Sequence, residues 1–151
     1  VPGLESPPAR CAVDRTFIVI VGGKSLEGMQ QYFLRTFGVP ATPPMESRVQ
    51  TMALEFGLSR EHRFRLAALP LRGRCYIEAD EMPPVARPLP ERLTELPAGI
   101  SLVSFFTPAS AGHVAGSATA PPDGGPPYAG AMGVECVRGA AGELIEIIHC
   151  P

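Results

Sequence analysis

One short pattern occurs twice in this chain, and it sets the problem of the fold. Residues Cys75 to Glu81 read CYIEADE, and residues Gly142 to Cys150 read GELIEIIHC. Each is an apolar, strand-like run interrupted by a glutamate, Glu78 in the first and Glu146 in the second. Side chains alternate between the two faces of a strand, so such a carboxylate either meets water on a half-exposed face or points into a cavity. Two carboxylates at similar points of two similar segments imply a duplicated module. The cavity reading places both acids in one site.

The segments around the pattern fill out each module. Residues 16–23, TFIVIVGG, form a β-branched run ended by two glycines and read as a strand. Residues 25–37 place Leu26, Met29, Phe33 and Phe37 at helical spacing, with Ser25 as N-cap and Gly38 just beyond the end. Three strands are expected next, at 49–58, 64–71 and 75–81, so the first half reads β-α-β-β-β. Pro83, Pro84, Pro88, Pro90 and Pro97 forbid a continuous element after it, apart from a helical turn or two at 90–96. The second half is a worn copy: a strand at 100–107, a short weak helix near 109–115, a loop over 121–127, and closing strands at 129–139 and 143–150 around the turn Ala140-Ala141-Gly142. The chain therefore divides into a Pro-rich arm (1–14), a first module (15–82), a Pro-rich linker (83–98) and a degenerate second module (99–151).

Composition narrows the function. At 151 residues the chain has about one domain's length and can bury a core. A formal net charge of -2 leaves no basic surplus for nucleic acid. No apolar run is long enough to span a membrane. The start, VPGLESPPARCAV, lacks the basic and apolar regions of a signal peptide, and the missing Met points to a trimmed start. Cys11, Cys75, Cys136 and Cys150 fit no CxxC or common zinc spacing, and read as reduced thiols of a cytoplasmic protein.

The opening FIVIVGGKSLEGMQQYFLRTFG and the ending RGAAGELIEII, within a duplicated β-α-β-β-β plan, resemble the vicinal oxygen chelate superfamily. That group includes glyoxalases, extradiol dioxygenases, epimerases and bleomycin-resistance proteins. The resemblance spans roughly residues 16–150. It implies an α+β fold of two βαβββ modules, with curved, cup-like, mostly antiparallel sheet, outer helices and a homodimeric assembly. It implies metal ligands on the first and last strands of each module. The last-strand positions match Glu78 and Glu146. The first-strand positions fall on Phe17 or Ile18 and on Ser101 or Leu102, none of them a normal ligand for zinc or iron. The expectation is therefore a protein without a cofactor, a divalent metal being disfavoured.

On this reading Glu78 and Glu146 are the candidate catalytic residues. A buried carboxylate has a raised pKa and can move a proton, and two facing one cavity titrate apart. The alternative is a pair of solvated glutamates, or glutamates paired with Arg74 or Arg138. His62 falls in a polar turn, His113 in the weak second helix, and His149 on the face opposite Glu146. Cys150 beside His149 is a poor nucleophile–base pair for the same reason. Arg138 could bind an anionic group or simply flank the closing turn. Tyr76, Phe105 and Phe106 could stack on a ligand or fill the core.

The expected function is binding of a small organic molecule, with metal-independent isomerase, lyase or cyclase chemistry by carboxylates. The alternative is a non-catalytic, drug-sequestering protein of the bleomycin-resistance type. A metal enzyme with substituted ligands is a weaker third. Nucleic acid and membrane partners are not expected.

Overall fold

The computed structural model describes residues 8–12, 16–72, 75–88, 99–100, 102–108 and 128–151. The chain divides into two compact units, Val1–Arg87 and Pro88–Pro151. Most of the expected N-terminal arm, the turns at 90–96, the helix near 109–115 and the loop over 121–127 lie outside the described residues, as do Arg74, Ser101 and His113.

The first unit is a four-stranded sheet in the order β1-β4-β3-β2, formed by β1 (Ile18–Gly23), β2 (Met45–Ser47), β3 (Phe64–Pro70) and β4 (Tyr76–Glu81). Strand β4 pairs parallel with β1 and antiparallel with β3. Helix α1 (Leu26–Phe37) follows β1 and carries both expected caps. Ser25 Oγ accepts the Gly28 N–H at 3.0 Å. Gly38 takes φ 65°, a left-handed conformation that glycine adopts without a Cβ penalty, and its N–H donates to the Leu34 carbonyl. The face of α1 carrying Leu26, Met29 and Phe33 is buried. It packs on β3 and β4, where Ala67, Leu69, Ile77 and Ala79 are buried on the same side of the sheet. Each large apolar side chain buried here contributes roughly 1.5–3 kcal/mol.

One expected strand is a helix. Residues 49–58 contain α2 (Gln50–Glu55), and the second strand is the short β2 ahead of it. Val49, Met52, Ala53 and Phe56 recur at i, i+3, i+4 and i+7, the period of one helical face. Ala53 is fully buried on that face, while Leu54 is left exposed.

The second unit is a three-stranded sheet in the order β5-β7-β6, formed by β5 (Leu102–Pro108), β6 (Gly133–Arg138) and β7 (Leu144–Cys150). Strand β7 pairs parallel with β5 and antiparallel with β6. The turn between β6 and β7 is the expected one. Gly142 takes φ 89° and its N–H donates to the Gly139 carbonyl at 3.1 Å. Arg138 Nη1 donates to the Gly142 carbonyl at 2.8 Å, tying the turn to the strand before it. The architecture is thus α+β, with two small sheets in which β4 and β7 are the strands that carry Glu78 and Glu146.

Candidate functional site

Glu78 and Glu146 occupy matching places in their own sheets. Glu78 stands on β4 level with Ile20 of β1 and Ala68 of β3. Glu146 stands on β7 level with Ser104 of β5 and Cys136 of β6. Each glutamate is the third residue of its strand, with a parallel neighbour on one side and an antiparallel neighbour on the other. The duplication is therefore one of hydrogen-bonded register as well as of sequence. The two residues belong to different units, and each site is built below from its own unit.

In the second unit, Glu146 is half-buried and held by two hydroxyls. Ser104 Oγ donates to Glu146 Oε2 at 2.5 Å, and Tyr128 Oη donates to the same oxygen at 2.7 Å. The hydrogen bond to Glu146 raises the Tyr128 pKa, which keeps its proton in place as a donor. Burial, then the Glu146 charge, raises the Cys136 pKa, so the thiol beside the carboxylate is neutral and a poor nucleophile. Leu102 and Phe106 share the strand face of Ser104, two positions to either side, and are 38% and 73% exposed. A fixed carboxylate thus lies beside open apolar surface, the arrangement of a site for a small, largely apolar molecule with a polar handle.

In the first unit, Glu78 shares its strand face with Asp80 two residues on. Asp80 is only 2% exposed, and among the described residues its Oδ1 has no hydrogen-bond partner. Burial, then the Glu78 charge and a side-chain hydrogen bond to Glu78, raise its pKa to about 6. Glu81 belongs to the other face. Its Oε1 accepts the Leu26 N–H at the start of α1, and its Oε2 accepts from Arg65 Nη1 at 2.9 Å. Arg65 also donates to Glu27 at 2.5 Å, and that hydrogen bond lowers the Glu27 pKa. The guanidinium is therefore engaged on the helix side of the sheet, away from Glu78 and Asp80.

The remaining candidates fall elsewhere. His149 is on the face opposite Glu146, as strand parity requires, with Nε2 2.5 Å from Glu135 Oε1 in a buried pair. Cys150 shares the face of Glu146 and His149 does not, so the two form no nucleophile–base pair. His62 is exposed in the turn before β3, its ring edge-on to Phe64. Arg138 spends a guanidinium N–H on the hairpin turn. Tyr76 is half-buried on the face of Glu78, whereas Phe105 and Phe106 point to opposite sides of β5. Sequence reasoning passed over Ser104, Asp80, Tyr128 and Glu135. Ser104 was detectable as the lone hydroxyl in an apolar strand, and Asp80 by sharing the parity of Glu78. Tyr128 lies before β6 in an irregular stretch that carries no periodic signal.

Ile20 and Ala68 beside Glu78 have no donor atom, and the Ser104 hydroxyl beside Glu146 is already spent on the carboxylate. Among the described residues, no group of three or more His, Cys, Asp or Glu side chains could hold a metal ion. The described donor set in each unit does not fit zinc or iron, which need several nitrogen, sulfur or carboxylate ligands together. No helix of the described residues is long and apolar enough to cross a membrane.

No protein-family model matches the sequence, and no curated protein does. Solved structures do match. A glyoxalase family protein from Bacillus cereus is 17% identical with a TM-score of 0.59, over 95% of this chain and 98% of that one. A glyoxalase/dioxygenase from Nostoc punctiforme is 15% identical with a TM-score of 0.56, over 97% of this chain and 98% of that one. The likeness is one of architecture: this chain has the fold of these two glyoxalase-like structures.

Proposed function

We propose that this chain is a metal-independent enzyme that moves a proton on a small organic molecule, with Glu146 as the principal base. The observation that carries this reading is the clamp on Glu146. Two hydroxyls bind one oxygen, Oε2, and orient the carboxylate. Oε1 accepts no hydrogen bond from the described residues. In the proposed step, Oε1 takes a proton from a carbon next to a carbonyl and returns it to the same or a neighbouring carbon. The net result is an isomerisation, or an elimination where a leaving group is present. Positioning a base in this way contributes typically 10²–10⁴-fold to such a step. Glu78, at the matching place in the first unit, is proposed as the second group that moves a proton.

The test is solvent exchange. The protein is incubated in D₂O with a panel of small carbonyl compounds bearing an activated C–H, and deuterium incorporation is read by NMR. Incorporation by the parent chain that falls at least 100-fold in Glu146→Gln, with binding of the same compound kept, is the expected result. Saturable binding without exchange for every compound would instead favour sequestration, the reading supported by the exposed Leu102 and Phe106 beside the clamp. The chain is proposed to act in the cytoplasm as a homodimer, without metal or organic cofactor.

A further inference from the structure

The step proposed above leaves charge on a second atom. When Glu146 Oε1 takes a proton from a carbon beside a carbonyl, the electron pair of the broken C–H bond becomes a C=C bond, and the carbonyl π pair moves to oxygen. That oxygen needs a hydrogen-bond donor close to the base. Two donors stand there already. Ser104 Oγ lies 2.5 Å and Tyr128 Oη 2.7 Å from Glu146 Oε2. In such a substrate the carbonyl oxygen is set to one side of the reacting carbon, by much the same span as separates the two carboxylate oxygens. With that carbon over Oε1, the carbonyl oxygen sits over Oε2, beside the two hydroxyls.

The two hydroxyls are not equivalent. Ser104 is level with Glu146 in the β5–β7 register, so the strand pairing fixes its Oγ beside the carboxylate. Tyr128 belongs to no strand. It opens a turn in which the Ala131 N–H donates to the Tyr128 carbonyl at 3.1 Å, and the Met132 N–H then donates to the His149 carbonyl of β7 at 2.7 Å. The phenol thus reaches Glu146 from the stretch ahead of β6, and Tyr128 remains 37% exposed. A phenol is also a stronger acid than an alkyl hydroxyl, and hence the stronger donor to an oxyanion. We infer that Tyr128 is a catalytic donor as well as a clamp: its O–H leaves Glu146 Oε2 as that carboxylate becomes neutral and hydrogen-bonds the enolate oxygen, while Ser104 keeps Glu146 in place. The O–H bond of Tyr128 stays intact throughout, and return of the proton to carbon restores the original hydrogen bond. The substrate class that fits is an apolar ketone or aldehyde with a C–H beside the carbonyl. Its oxygen meets Tyr128, and its body lies on Leu102 and Phe106, which are exposed on the face of Ser104. This deepens the acid–base reading above and rests on it for turnover, but the donation from Tyr128 to a bound oxyanion does not need turnover.

Two measurements test it. In the first, Glu146→Gln supplies a neutral side chain in place of the protonated base, and 4-nitrophenolate at pH 9 serves as a stable oxyanion with an apolar ring. Its affinity for the full chain is compared with that of 4-nitroanisole, which lacks the charge. Adding Tyr128→Phe to Glu146→Gln should weaken 4-nitrophenolate by roughly tenfold or more, as loss of a hydrogen bond to a charged group does, and change 4-nitroanisole by less than about twofold. Adding Ser104→Ala instead should have the smaller effect on the phenolate. Absence of phenolate binding, an equal loss for both probes, or a loss in Ser104→Ala as large as in Tyr128→Phe would overturn the proposal. In the second, Tyr128→Phe is run in the deuterium-exchange assay. The expected result is a fall in kcat of roughly 100-fold with KM kept, largest for the ketones whose α-carbon is least acidic. A uniform loss across the panel with KM raised is what a merely structural tyrosine would give, and overturns the catalytic role. Absence of exchange in the parent defeats the enzymatic reading instead, and leaves the phenolate comparison to decide the donor.

Discussion

Burying a carboxyl without a cation makes stability depend on pH in a direction that most acids do not follow. Most native carboxylates are held ionised by partners and are lost to acid. Asp80 is the reverse case, because its folded pKa of about 6 lies above the unfolded value near 3.9. Between these values the folded chain binds the proton and the unfolded chain does not. The stability associated with Asp80 is therefore fully present below about pH 4 and is lost as the pH rises through 6. The shift of about two units corresponds to roughly 2–3 kcal/mol at most. Unfolding by urea at a series of pH values should show Asp80→Asn more stable than the parent at pH 8, with the difference reversed or absent at pH 4. A constant difference across the range would show that Asp80 does not carry its proton in the folded chain. Part of this was readable beforehand. CYIEADE places Glu78 and Asp80 on one face by parity alone. What it does not contain is the wall around them, because Leu66 and Gly22 reach that level only through the register of β3 and β1.

At the scale of elements, the helix that follows β1 was the most legible part of the chain, since its caps and its buried face are written in adjacent residues. Its caps also give direct expectations. Ser25→Ala removes the acceptor for the Gly28 N–H and should cost about 1 kcal/mol. Gly38→Ala places a Cβ on a residue at φ 65° and should cost a similar amount, although nothing crowds the position. The two changes sit at opposite ends of α1, so their effects in thermal unfolding should add. The segment at 49–58 shows the limit of the same reasoning. A short apolar run satisfies both periods, and whether it is helix or strand is decided by what it packs against. Val49, Met52, Ala53 and Phe56 could have been counted as one helical stripe, and the burial of Ala53 against exposed Leu54 confirms that period. In the second unit, β5, β6 and β7 were found from sequence because β-branched and aromatic residues concentrate there. Tyr128 was not, because a residue in an irregular stretch acquires its partner only when the chain folds back onto β7.

At the scale of the whole molecule, the duplicated register is the fact that most constrains the chemistry. Each sheet carries a glutamate, Glu78 or Glu146, at a matching register on an inner strand, and a metal enzyme needs further donors at the same level. Here that level holds Ile20 and Ala68 in one unit, and Ser104 and Cys136 in the other. The first pair has no donor atom. In the second, Ser104 and Tyr128 both engage the glutamate that a metal would require, and the half-buried thiol is kept neutral. A divalent ion would have to displace two hydrogen bonds and strip a raised-pKa thiol of its proton to gain a thiolate ligand. Tight binding would also appear as stability: an ion at 100 times its Kd adds about 2.7 kcal/mol to the folded state. Dialysis against EDTA, followed by 100 μM zinc, manganese, nickel or iron(II), should therefore leave the melting temperature and the Glu146-dependent exchange rate unchanged. A rise of several degrees with one of these ions, or a stoichiometric ion in protein purified without chelator, would show that the hydroxyl clamp yields to a metal. It would also move Glu146 from base to ligand.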